Sequence, residues 1–135
     1  MTIRIAAIEV SHWHALNDAA YLRHLISMPD VKLVAIQDCD ASLVAKRAAE
    51  VGDPPTFTDY EAMLATTRPD FVLALGRHRQ MARIAHYLLD HGHPFLMEKP
   101  MGINAREAAV RFDRKSAVRQ YYDLFSSLAG VARAA

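Results

Sequence analysis

One cysteine, Cys39, is all the chain has. An intramolecular disulfide is therefore excluded, and a lone thiol suits a reducing compartment. An excess of either charge is missing too: 16 Lys and Arg stand against 15 Asp and Glu, a formal net charge of +1. Such a balance sets up no long-range field to gather phosphate backbones, so nucleic acid is not an expected partner. The one local basic cluster, Arg106, Arg111, Arg114, Lys115 and Arg119, is interleaved with Glu107 and Asp113 and reads as a solvated helix face. No apolar run approaches the roughly 20 residues needed to cross a bilayer, so no membrane partner is expected. Met1-Thr2-Ile3-Arg4 leads straight into an apolar stretch, without the basic segment and long apolar core of a secretory signal. Internal repeats, low-complexity tracts and an interdomain linker are absent as well. The expected location is the cytoplasm.

What is present suffices for one domain. With 135 residues, 52% of them hydrophobic, the chain can bury a core without staples. Short apolar runs alternate with amphipathic stretches. Ile3–Ile8, Val31–Ile36, Phe71–Leu75 and Pro94–Met97 read as strands, with Thr56-Phe57 as a very short one. Leu16, Ala19, Ala20, Leu22, Leu25 and Ile26 recur at helical steps, which predicts a first helix from Leu16 to about Ile26. Asp40 is the expected N-cap of a helix over Ala41–Val51 closed by Gly52. Thr58-Asp59-Tyr60-Glu61 has the form of a capping box, for a helix to about Thr66. A further helix is expected near Gln80 to His91, ending at Gly92, and another opens at Asn104 with Glu107 three residues on. Beyond Arg111 the pattern weakens, although Tyr121, Leu124, Phe125 and Leu128 fit one helical stripe.

The alternation predicts an α/β fold: a doubly wound parallel sheet, Rossmann-like, of about five strands. Its boundaries are residues 1–110, followed by a divergent helical tail over 111–135. Ligands of such sheets bind beyond the carboxyl ends of the strands. Those ends carry Glu9–Trp13, Asp38, Leu75–Arg79 and Glu98-Lys99, the residues with the most chemistry to offer. The two His-x-His pairs, His12/His14 and His91/His93, would lie at opposite edges of that sheet, so no metal site is expected.

Val34-Ala35-Ile36-Gln37-Asp38, Pro69-Asp70-Phe71-Val72-Leu73-Ala74 and above all Met97-Glu98-Lys99-Pro100 resemble the Gfo/Idh/MocA oxidoreductases, from about Ile3 to Ala109. The resemblance implies a dinucleotide-binding domain of an enzyme that moves a hydride between NAD(P) and a hydroxyl of a sugar, cyclitol or related polyol. It implies that Asp38 accepts hydrogen bonds from the adenosine ribose. It implies that Lys99 is the catalytic lysine beside the nicotinamide and the reacting hydroxyl, aimed by Glu98 and Pro100. Ser11, His12 and Trp13 fall in the register of the phosphate loop, and Gly76 and His78 in the loop after the fourth strand. NAD is expected ahead of NADP, because Asp38 would repel a 2′-phosphate and no Arg immediately follows it. From the residues alone, Asp38 also reads as a helix cap, and Trp13 reads first as a packing residue.

The chain departs from the family at three places. In register with G-x-G-x-x-G stands Glu9-Val10-Ser11-His12-Trp13-His14, with no glycine and with a carboxylate near the phosphates. At about 5 Å and an effective dielectric near 20, that repulsion is roughly 3 kcal/mol. Compensation can come from the start of the following helix, from a protonated His12 or His14, or from a Glu9 that turns away or takes a proton. After the fourth strand, Gly76-Arg77-His78-Arg79 brings two arginines near the site, either as phosphate ligands or as solvent-facing residues. Finally, the family's substrate domain is not in these residues, so the expectation is a truncated chain without dehydrogenase turnover of its own. The rival readings are a non-catalytic binding or interaction module, with homo-oligomers allowed, and a remnant that has lost its cofactor.

Overall fold

The computed structural model describes residues 2–17 and 20–99. The expected helix at Asn104, the tail over 111–135, the Arg106–Arg119 cluster and Pro100 lie outside the described residues. Five strands form one parallel sheet: β1 (Ile3–Ile8), β2 (Val31–Gln37), β3 (Thr56–Phe57), β4 (Phe71–Ala74) and β5 (Phe95–Met97), in the order β3-β2-β1-β4-β5. The order reverses between β1 and β4, the switch point at which a doubly wound sheet opens its ligand crevice. Four helices connect the strands: α1 (Tyr21–Ser27), α2 (Ala41–Glu50), α3 (Tyr60–Thr67) and α4 (His78–Asp90). None of the described helices is long and apolar enough to cross a membrane.

The period of two in a strand explains how one short run serves two cores. In β1, Ile5 and Ala7 belong to one apolar cluster with Leu22 of α1 and Val44 and Ala48 of α2. Ala6 and Ile8 belong to the other, with Met63 and Leu64 of α3 and Ile84 and Leu88 of α4. Both faces of β1 are thus covered over Ile5–Ile8, and β4 likewise gives Leu73 to the first cluster and Val72 and Ala74 to the second, which is why these stretches are wholly apolar. The pairing of β1 with β2 shifts by one residue between Ile5 and Ala6, so Val34 is the extra residue on β2.

Most element boundaries match the expected ones, and Asp40 caps α2 through hydrogen bonds accepted from the Ser42 and Leu43 N–H groups. The first helix does not match. The chain after β1 makes a three-residue 3-10 turn, Trp13–Ala15, and α1 begins only at Tyr21, behind Ala20 in a left-handed conformation (φ 45°). Leu16 and Leu22 both reach the core, the former from the turn and the latter from α1, so apolar spacing alone cannot separate this arrangement from one helix. A second correction concerns α3. Asp59, not Thr58, is its N-cap, accepting from the N–H groups of Glu61 and Ala62. Thr58 lies one residue outside and accepts from the Gln37 side chain through its carbonyl (3.0 Å). The last correction is small: α4 starts at His78, two residues before the expected Gln80.

Candidate functional site: the carboxyl edge of the sheet

Leaving β4, the chain needs a sharp turn over the end of β1. Leu75 is tied there by its N–H to the Ile8 carbonyl (3.0 Å). Gly76 follows in the left-handed region (φ 57°), and a Cβ at this position would stand 2.6 Å from Met81 Cγ. Both the angle and the fully buried Met81 require glycine here. The turn delivers Arg77, the residue before α4, across to the opposite side of the crevice. Its Nη2 donates to Asp38 Oδ1 (3.1 Å) and its Nε to Ser11 Oγ (3.3 Å). The same Nε lies 3.4 Å from Glu9 Oε2 as an ion pair, yet that oxygen makes no hydrogen bond.

Glu9 is the first residue beyond β1. It occupies a left-handed conformation (φ 58°), the shape a glycine would ordinarily supply. The residue is 1% exposed. Its backbone N–H is held by Gln37 Oε1 (3.2 Å). Burial raises the Glu9 carboxyl above its usual range, and the neighbouring Asp38 raises it further, against the pull of the Arg77 charge and a hydrogen bond from the Arg77 backbone N–H. Asp38 is wholly buried and has more donors: Ser11 N–H (2.8 Å), Asp40 N–H (3.1 Å) and Arg77. It ties the β1 loop to β2 and is not the cap of α2, a role that belongs to Asp40.

Between these groups lies an open cleft of about 590 Å³, lined by Ser11, His12, Trp13, Gly76 and Arg77. Trp13 is 61% exposed, which overturns its reading as a packing residue. The helical N-terminus expected directly after Trp13 is also missing from the cleft, since α1 starts at Tyr21. His78 is the first residue of α4, and Arg79 is exposed on that helix and does not line the cleft.

Across the crevice, at the end of β5, Glu98 is 8% exposed and well supplied with partners. One oxygen meets His14 Nδ1 (2.6 Å) and Tyr21 Oη (2.9 Å), and the other accepts from the Lys99 N–H (3.1 Å). Burial pushes the Glu98 carboxyl up, but the bonds from His14, Tyr21 and Lys99 outweigh it and hold the group below its ordinary value. Bonding to Glu98, reinforced by burial, raises the Tyr21 phenol. Lys99 itself is exposed. His14 and Tyr21 lie 84 and 77 residues from Glu98, so nothing in the local pattern announces either contact. Gln37 is likewise legible only from the structure. His91 and His93 sit at the amino end of β5, away from His14, and His91 stacks on Tyr87 (4.0 Å between centroids). Among the described residues no group of three or more His, Cys, Asp or Glu is placed to hold a metal ion.

The family model for the Gfo/Idh/MocA oxidoreductases, described as an oxidoreductase family with an NAD-binding Rossmann fold, matches residues 7–118. The chain belongs to that family. Its five-strand parallel sheet with flanking helices is the Rossmann fold of that description. Similar solved structures include a myo-inositol 2-dehydrogenase from Lactobacillus plantarum, 24% identical with a TM-score of 0.69 over 90% of this chain and 34% of that one. An oxidoreductase from Agrobacterium radiobacter, solved with NAD+, L-tartaric acid and magnesium, is 18% identical with a TM-score of 0.71 over 88% and 32%. A UDP-N-acetylglucosamine 3-dehydrogenase from Acidithiobacillus ferrooxidans is 22% identical with a TM-score of 0.67 over 90% and 36%. At these identities the likeness shows the fold. This chain spans about a third of the length of those proteins. No curated protein matches it.

In the loop after β1, Glu9 makes a left-handed turn, Ser11 donates its N–H to Asp38, and His14 reaches Glu98. A dinucleotide fits this edge in two respects and meets one obstacle. Gly76 leaves the β4 turn without a side chain, and Arg77 supplies a half-exposed cation at the cleft, whereas the Glu9 carboxylate lies beside it.

Proposed function

We propose that the chain is the dinucleotide-binding part of a sugar or polyol dehydrogenase, spanning residues 1–110, and that its cofactor is NAD. The observation that carries this reading is the cleft at the β1–β4 switch point, bounded by Arg77 and adjoining the buried Asp38, in a chain of this family. Asp38, at the end of β2, is the acceptor for the ribose hydroxyls. Ser11, His12, Trp13, Gly76 and His78 flank the cofactor. A bound nicotinamide ring supplies the hydride acceptor. Lys99 holds its ammonium toward the hydroxyl of a sugar or cyclitol and lowers the cost of removing its proton. Glu98 fixes the backbone at Lys99 through the 3.1 Å bond. NAD is favoured over NADP because the Asp38 carboxylate disfavours a 2′-phosphate and residues 39–42 carry no cation. Cytoplasmic location and the absence of turnover in these 135 residues belong to the same proposal.

A second reading has its own support. The N–H groups of Glu9, Val10, Ser11, His12, His14 and Ala15 all donate within the chain, so the loop is closed as a phosphate cradle. On that reading the fold persists as an interaction module without cofactor. Titration with NADH, followed by Trp13 fluorescence and confirmed by calorimetry, decides between them. Saturable binding that Asp38→Ala weakens supports the dehydrogenase reading. Silence at millimolar NADH sinks it.

A further inference from the structure

The closed loop raises the question of what meets the phosphates if a dinucleotide binds. We infer that Arg77, rather than the β1 loop backbone, is the phosphate-recognition residue of this cleft, and that it turns from Glu9 and Asp38 to the pyrophosphate of the ligand. The inference rests on the dinucleotide reading above and deepens it.

Three observations support it. Among the residues lining the cleft, Arg77 carries the permanent charge, and its guanidinium fork matches phosphate oxygens. Its side chain is 49% exposed although both carboxylates it bridges are buried, so part of the guanidinium stays available to solvent. Its present contacts are long: 3.4 Å to Glu9 Oε2 without a hydrogen bond, 3.3 Å to Ser11 Oγ and 3.1 Å to Asp38 Oδ1. Charge-assisted bonds of good geometry run about 2.7–2.9 Å. A phosphate offering shorter ones competes well for the guanidinium.

The neighbours tolerate the move unequally. Asp38 keeps the N–H groups of Ser11 and Asp40 and gains a free lone pair toward the cleft, where ribose hydroxyls would donate. Glu9 loses the cation nearest to it and is left beside Asp38. The groups facing the Glu9 carboxyl are Asp38 at the end of β2 and, from the β4–α4 turn, both the guanidinium and the backbone N–H of Arg77, with the Gln37 amide on its own backbone N–H. Glu9 therefore opposes phosphate binding while ionised, and Arg77 is the group over which the two compete.

The test uses the 135-residue chain with NADH, ADP and adenosine as separate probes, read by Trp13 fluorescence and calorimetry. Since Arg77→Gln alone leaves two buried carboxylates unmatched, the informative pair is Glu9→Gln against Glu9→Gln/Arg77→Gln, each checked for a cooperative melt. Glu9→Gln is expected to tighten NADH and ADP about tenfold, by removing the competitor. Adding Arg77→Gln is expected to weaken both about tenfold to a hundredfold while adenosine is unaffected. Arg77→Lys, which keeps charge without the fork, should fall between. If the double variant binds NADH and ADP as tightly as Glu9→Gln or better, Arg77 is a plug and the inference is overturned, although the dinucleotide reading stands. If ADP binds through Arg77 while NADH does not, the inference stands and the dinucleotide reading fails. If neither NADH nor ADP binds the parent or Glu9→Gln, both are overturned.

Discussion

Two buried glutamates stand at the carboxyl edge of this sheet, and they are unlike in almost everything but burial. Glu98, after β5, accepts from His14, Tyr21 and the Lys99 N–H, and its carboxyl lies below the ordinary range. Glu9, after β1, has an oxygen with no hydrogen bond, a left-handed backbone and a carboxyl above that range. Burial penalises both charges, but Glu98 is met by three donors, whereas Glu9 also faces the Asp38 carboxylate against the pull of Arg77. The β5 edge is consequently an anchor, which pins the turn at Trp13–Ala15 and α1 to the Lys99 loop. The β1–β4 edge holds two buried carboxylates bridged by one half-exposed arginine, with a left-handed backbone at Glu9, the condition expected of a surface kept for a ligand.

The largest expected effect is at the anchor. Glu98→Ala strands the donors of His14, Tyr21 and Lys99, and should cost about 3 kcal/mol in chemical unfolding. A loss no larger than that of an exposed substitution would erase the contrast. Next comes Gly76→Ala, which shapes the β1–β4 edge from the β4 side. It combines a left-handed alanine with a Cβ that would stand 2.6 Å from Met81 Cγ. The expected loss is about 2–3 kcal/mol. It should be accompanied by a changed Trp13 emission if Arg77 is displaced from the cleft.

Glu9→Gln is expected to act in the opposite sense, with a gain of about 1 kcal/mol near neutral pH. The pH dependence sharpens this. Glu9 has a raised folded value, so the stability it contributes is present below the ordinary 4.5 and is lost as pH rises through that raised value. The advantage of Glu9→Gln over the parent should therefore grow as pH climbs above 4.5 and then level off. For Glu98 the folded value is depressed, so its contribution is present above 4.5 and is lost as pH falls through the folded value. The cost of Glu98→Gln should hence grow with rising pH below 4.5 and be flat above it. Denaturation midpoints across an acid series would show parallel slopes for the two variants if the carboxylates were equivalent.

The same contrast marks what the residues alone disclose. The strands were legible because apolar runs such as Phe71–Ala74 need cover on both faces, and Asp40 and Gly52 announce the ends of α2 by local chemistry. Glu9 was legible as an obstacle, since a carboxylate in a phosphate-loop register needs explaining. The partners that decide each glutamate's state were not. His14 and Tyr21 reach Glu98, and Arg77 reaches Asp38, only through the folded topology. The first helix misled for a related reason. Leu16, Ala19, Leu22 and Leu25 recur at three-residue steps, whereas the left-handed backbone at Ala20, just before α1, is something an alanine does not advertise. Ala20 and Glu9 both show left-handed backbone at residues other than glycine, and both flank the cleft loop.

The smallest expected effect tests whether that loop is independent of the core. Trp13 is 61% exposed, while the residues that tie its turn down, Ala15 and Leu16, are buried. Trp13→Phe should shift stability by less than about 0.5 kcal/mol, because little apolar surface is returned to water. Binding of NADH, read by calorimetry since the fluorophore is gone, should weaken modestly if the indole flanks the cofactor. A stability loss comparable to that of Glu98→Ala would instead place Trp13 in the structural framework, and the two edges of the sheet would no longer divide into an anchor and a ligand surface.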